Sequence, residues 1–166
     1  TPQAPAAASH PSEPIIGVIP WVIRRTGTLG MKTESYTLVV TPQRLIFALL
    51  TKEARDENIR KAQEQAKAEG KNVFQRIGAQ MNADNGAAYF NMSPDAALAE
   101  NPANFFLLNQ QVESAKITSY SDDEGGVTTY YLELKGGFGK MKFEMGRLNE
   151  RGARQVLRQA LGAAMR

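Results

Sequence analysis

Cysteine is absent from the 166 residues and histidine occurs once, as His10. The first absence removes thiol nucleophiles, zinc–thiolate sites, iron–sulfur clusters and disulfide staples. The second leaves few routes to a metalloenzyme, and a lone imidazole in a proline-rich tail is not held in the geometry that proton transfer requires. Long apolar runs are missing too. The longest, Ile15 to Ile23, is nine residues with Pro20 inside it, where a membrane-spanning helix needs about twenty. A net charge of +3 is too small for a dedicated nucleic-acid binder. Present instead is an ordinary globular composition, 42% hydrophobic and 22% charged, in a chain long enough to bury a core without covalent help.

Charge is unevenly spread. Residues 93–135 carry two basic and seven acidic side chains, and residues 136–166 carry seven basic and two acidic. Such polarity fits either internal pairing of the two segments or a bipolar recognition surface. Residues 1–14 contain Pro2, Pro5, Pro11 and Pro14 among alanine and serine, with no apolar periodicity, and read as a linker. Because the chain starts at Thr1, a segment preceding it is expected. The remainder, 15–166, reads as a single domain.

Strand patterns begin at Ile15–Arg25 and continue at Ser35–Thr41, where Tyr36, Leu38 and Val40 share a face. A turn at Thr41-Pro42-Gln43-Arg44 leads into Leu45–Leu50. That third strand is apolar on both sides, which predicts cover on both faces. Residues 52–103 read as a helical insertion. Helix formers dominate 52–69, and Val73, Phe74, Ile77 and Met81 are expected to anchor a second helix. Ser93-Pro94-Asp95 has a cap, a first-turn proline and an acid suited to a helix start. Strands return at 104–108, 112–120, 127–135 and 140–145, the last two alternating cleanly. An amphipathic helix over 149–164 closes the sequence.

Seven strands, an insertion after the third and one final helix resemble the pleckstrin-homology-like (PH-like) barrel in its small prokaryotic form. The most specific carrier of the resemblance is Tyr36-Thr37-Leu38-Val39-Val40-Thr41-Pro42-Gln43-Arg44-Leu45-Ile46-Phe47, followed by Phe106-Leu107-Leu108 entering the fifth strand. The resemblance implies an α+β, mostly β fold, a seven-stranded antiparallel barrel capped by the C-terminal helix. These are packing motifs, so they bear on fold more than on function. Lipid-binding members use basic residues near the loop joining the first two strands. Arg24, Arg25 and Lys32 fall there, with Glu34 beside them.

Other candidates have structural explanations. Asp122-Asp123-Glu124 lacks the alternating oxygen ligands of a calcium loop. Gly136-Gly137-Phe138-Gly139-Lys140 lacks the strand–loop–helix setting of a phosphate cradle. Arg147, Arg151, Arg154 and Arg158 recur at helical spacing and form a cationic ridge on the last helix. Trp21 and Phe138 are apolar anchors at most. The expected function is therefore a non-catalytic interaction module with no cofactor, metal or catalytic residue. It would bind a protein partner or its own copies through a strand edge, the insertion helices or the arginine ridge. Attachment to anionic lipid through Arg24, Arg25 and Lys32 is the alternative, and an enzyme of unspecified type the second alternative. The expected location is cytoplasmic or membrane-peripheral.

Overall fold

The structure, a computed structural model, describes residues 13–70, 87–145 and 150–166. Seven strands form one antiparallel sheet: β1 (Gly17–Thr26), β2 (Lys32–Val40), β3 (Arg44–Leu49), β4 (Phe105–Leu108), β5 (Val112–Ser121), β6 (Thr128–Gly136) and β7 (Gly139–Met145). Their spatial order is β4-β3-β2-β1-β7-β6-β5. Helix α1 (Lys52–Ala68), a 3-10 turn (Ala87–Asn91) and helix α2 (Pro94–Ala99) lie between β3 and β4, and helix α3 (Glu150–Leu161) follows β7. The fold is thus α+β and mostly β, as the strand patterns predict. Val73, Phe74, Ile77 and Met81 lie outside the described residues.

Alternation alone misplaces half of β1. Gly17 and Ile19 are buried, but so is Val22, which shifts the inward positions from odd to even. Ile19 pairs with Leu38 and Val22 with Tyr36, so Pro20 and Trp21 together face Thr37. This is a β-bulge. Proline has no N–H for the ladder, and the extra residue, Trp21 at φ 58°, absorbs the mismatch. Beyond the bulge β1 serves two neighbours, because Val22 and Ile23 also pair with Met145 and Glu144 of β7.

Side chains from every strand meet in one core. Phe47 of β3 stacks on Phe143 of β7 with ring centroids 4.8 Å apart. Those strands are three places apart in the sheet, about 14 Å if it were flat, so the sheet bends strongly around its contents. Helix α3 adds Ala153, Leu157 and Leu161 to the same core. Its approach is close: a Cβ on Gly17 would lie 2.4 Å from Val156 Cγ1. Gly162, at φ 55°, ends the helix in the left-handed conformation that glycine tolerates. Met165 then bridges to Ala115, and the Arg166 N–H donates to the Ala115 carbonyl at 2.8 Å. The C-terminal residues therefore cover part of the β5 edge.

A second, smaller cluster explains the doubly apolar third strand. Val39, Ile46 and Ala48 on the outer face pack with Tyr89 and with Ala97 of α2. Ser93 Oγ caps α2 by accepting from the Ala96 N–H at 3.1 Å. Asn104 then clasps helix to sheet: its Nδ2 donates to the Ala97 carbonyl at 2.9 Å, and its Oδ1 accepts from the Leu49 N–H at 2.7 Å.

Candidate functional site: the β1–β2 tip

Between β1 and β2 the chain runs Gly27-Thr28-Leu29-Gly30-Met31 through a 3-10 turn. Gly27 (φ 79°) and Gly30 (φ 67°) supply left-handed conformations, and Leu29 adopts one too, at φ 60°. For a leucine this costs roughly 1–2 kcal/mol. Nothing in the fold recovers that cost, because Leu29 is 94% exposed and Met31 84% exposed. Two large apolar side chains therefore project from one strained hairpin tip into water, the arrangement expected of a docking element rather than a packing one.

Below the tip sit the three predicted cations, divided between the two faces of the ribbon. Arg24 pairs in register with Glu34, on the same side as buried Val22 and Tyr36. The Lys32 ammonium is 3.3 Å from Glu34, and the Tyr36 hydroxyl donates to Glu34 at 2.8 Å. That hydrogen bond, aided by Lys32 and Arg24, holds the Glu34 carboxyl below its ordinary range. Conversely, burial and the same carboxylate push the Tyr36 hydroxyl up to about 12. Arg25 lies on the opposite face, 3.2 Å from Glu144, at a shallow groove of about 280 Å³ that also includes Ile23, Tyr131 and Lys142. The three cations thus form a collar around the ribbon. They do not converge on a single headgroup pocket, and two carboxylates offset much of their charge.

The arginine ridge is also divided. Arg147 lies outside the described residues. Arg154 is held in place: its Nε is 2.6 Å from Glu150 Oε1 and its Nη2 donates to the Ile117 carbonyl of β5 at 3.1 Å. It fastens α3 to the sheet. Arg151 and Arg158 are exposed. Trp21 is half-buried at the bulge, and Phe138 packs against the core.

Two groups escaped the sequence reading. Leu29 and Met31 lie in a short connection with no apolar periodicity, and their exposure is what singles them out. Lys116, Lys135, Lys140 and Lys142 belong to three strands, and pairing alone brings them around Glu133. Among the described residues, no group of three or more His, Cys, Asp or Glu side chains is placed to hold a metal ion. None of the described helices is long and apolar enough to cross a membrane.

No protein-family model matches the chain, and no curated protein matches it. Among solved structures it is similar to the C-terminal domain of an unknown protein from Leishmania infantum. The identity is 11% and the TM-score 0.44, over 90% of this chain and 84% of that one. A likeness this slight carries no conclusion about fold or function.

Proposed function

We propose that the chain is a non-catalytic, PH-like interaction module that docks reversibly on an anionic membrane surface through the β1–β2 tip. The barrel reading is supported by the strand order, the strong bend that brings Phe47 onto Phe143, and the helix that follows β7 and fills the core. The membrane reading is carried by one observation, the exposure of Leu29 and Met31 above a collar of Arg24, Arg25 and Lys32.

Magnitudes decide what kind of attachment this is. Burying Leu29 and Met31 in the interface supplies about 2 kcal/mol each. Three cations against Glu34 and Glu144 leave one net positive charge, which adds about 1 kcal/mol near an anionic surface. The total, about 5 kcal/mol, corresponds to a dissociation constant of about 0.2 mM. One tip therefore gives weak, reversible contact, and stable residence needs a second signal. The apolar part dominates, so salt is a minor lever and the tip a major one.

Co-sedimentation with vesicles containing phosphatidylserine tests this. Leu29→Ser with Met31→Ser should weaken binding by at least about 100-fold, whereas raising salt to about 0.5 M should weaken it only about fivefold. Wild-type binding by the double variant would overturn the reading. A second reading, protein docking on the outward face of α3, is favoured by Arg151 and Arg158, which are exposed and have no ion pair among the described residues. Replacing both with glutamate should leave vesicle binding unchanged, which separates the two readings.

A further inference from the structure

The outer face of β5–β6–β7 carries a lysine cluster that strand register assembles. Lys116, Glu133 and Lys142 form one cross-strand row, and Ser114, Lys135 and Lys140 form the next. Lys135 and Lys140 are therefore directly opposed like charges, an arrangement that destabilises a sheet. Glu133 is the sole carboxylate in these two rows. It lies 3.3 Å from Lys116, 3.4 Å from Lys140 and 3.9 Å from Lys142, so one acid is shared among three cations. Burial works against its charge, yet Lys116 and Lys140 still hold the carboxyl below its ordinary range. Arg166 joins the rim of a concavity of about 280 Å³ between these side chains. Four lysines against one carboxylate leave these two rows with a net positive charge, and Lys135 has no ion pair among the described residues.

At the other end of the same hairpin the sign reverses. Asp122, Asp123 and Glu124 form the β5–β6 turn, all exposed, and none has a cationic partner among the described residues. Tyr120 and Val127, each 66% exposed, flank the turn. Lys116 lies on β5 six residues before Asp122, which follows the end of that strand, a span of about 20 Å. Midway on the outer face lie Thr118 and Tyr131, a cross-strand pair.

We infer that the outer face of β5–β6–β7 is a self-association surface, on which a second copy of this chain lays its acidic β5–β6 turn across the Lys116–Lys135–Lys140 cluster. A two-fold axis near Thr118 and Tyr131 makes the contact reciprocal, because each copy then offers an acidic turn to the other's lysines and the pair closes as a dimer. Tyr120 and Val127 lie at the margins of that contact and lose exposure in it. Three strands of about 30 Å length bury on the order of 900 Å² between two copies, the size of a weak, reversible interface. The inference is independent of the β1–β2 tip.

Sedimentation equilibrium on the full chain tests it. At about 50 mM salt the protein should dimerise at high micromolar concentration, and at about 0.5 M salt the association should weaken at least about tenfold. Lys135→Glu with Lys140→Glu, and separately Asp122→Lys with Asp123→Lys, should each be monomeric. Mixed one to one, they should regain a dimer of one copy of each, since both contacts are again complementary. That recovery also requires both variants to be folded, and circular dichroism of each checks this directly. A wild-type monomer at low salt, unchanged association of either variant, or a mixture that stays monomeric would overturn the inference. Binding of a polyglutamate peptide by a strictly monomeric wild-type chain would overturn it as well, and would assign the lysine face to a different acidic partner.

Discussion

Arg44 offers the sharpest test of how the molecule is held together. Its Nε is 3.0 Å from Glu13 Oε2, and its Nη2 is 2.8 Å from the same oxygen and 2.6 Å from Asp95 Oδ1. The guanidinium also lies 5.5 Å from the centre of the Phe106 ring. Burial opposes its charge, but Asp95 and Glu13 hold it protonated beyond its ordinary range. Glu13 is the more enclosed partner, with a side chain only 4% exposed against 45% for Asp95. The Thr41 hydroxyl also hydrogen-bonds Glu13 and accepts the Arg44 N–H at 3.0 Å. One arginine thus fastens the segment entering β1, the start of β3 and helix α2. Replacing Arg44 with methionine strands a buried carboxylate, at a cost of about 3–5 kcal/mol. The exposed Asp95 contact adds no more than about 1 kcal/mol. For a chain of this length that lowers the melting temperature by roughly 10 °C. Adding Glu13→Gln removes the stranded charge, so the double variant should regain at least about 2 kcal/mol over Arg44→Met alone. Urea denaturation followed by circular dichroism measures all four proteins. A loss under about 1 kcal/mol for Arg44→Met, or additive single effects, would refute this account of the cluster.

Two further outcomes follow from the core. Leu157, fully buried where α3 meets the sheet, should cost about 2–5 kcal/mol as Leu157→Ala, and unchanged stability would mean that the helix does not close the core. Tyr36 gives an alkaline signature, since its hydroxyl titrates at about 12 in the fold against 10.0 ordinarily. The unfolded chain releases this proton first, so the contribution is complete below pH 10 and is lost as pH rises from 10 to 12. Tyr36→Phe should remove that part of the alkaline decline in urea-denaturation midpoints, and an identical pH profile would contradict the assignment.

Much of the architecture was legible because its determinants are local. The alternation of Tyr130 to Lys135 and of Lys140 to Met145, the cap at Ser93 and the Ala153–Leu157–Leu161 stripe each state their environment within a few residues. Likewise, the run from Leu45 to Leu50 announces cover on both faces. What sequence hides is whatever depends on register. The bulge at Pro20-Trp21 inverts the inward positions of β1, so Arg24 rather than Arg25 falls on the side of Val22 and Tyr36 and meets Glu34, while Arg25 meets Glu144 across the other face. Arg154 reads as part of a cationic ridge with Glu150 four residues before it, yet it also donates to a backbone carbonyl on β5, a contact that no pattern along the helix reveals. The lysine face is invisible for the same reason, being assembled from three strands. Leu29 and Met31 were hidden differently: two apolar residues in a short connection carry no periodicity, and only their exposure in the folded chain marks them.

The most direct measurement uses the absence of cysteine. A single cysteine introduced as Met31→Cys can carry an environment-sensitive fluorophore, with Val127→Cys, also exposed but beside the β5–β6 turn, as the comparison. On addition of phosphatidylserine vesicles the account predicts a blue shift and brightening at position 31 and no change at position 127. A silent probe at 31, or the same response at both positions, would contradict insertion of the β1–β2 tip into the membrane surface.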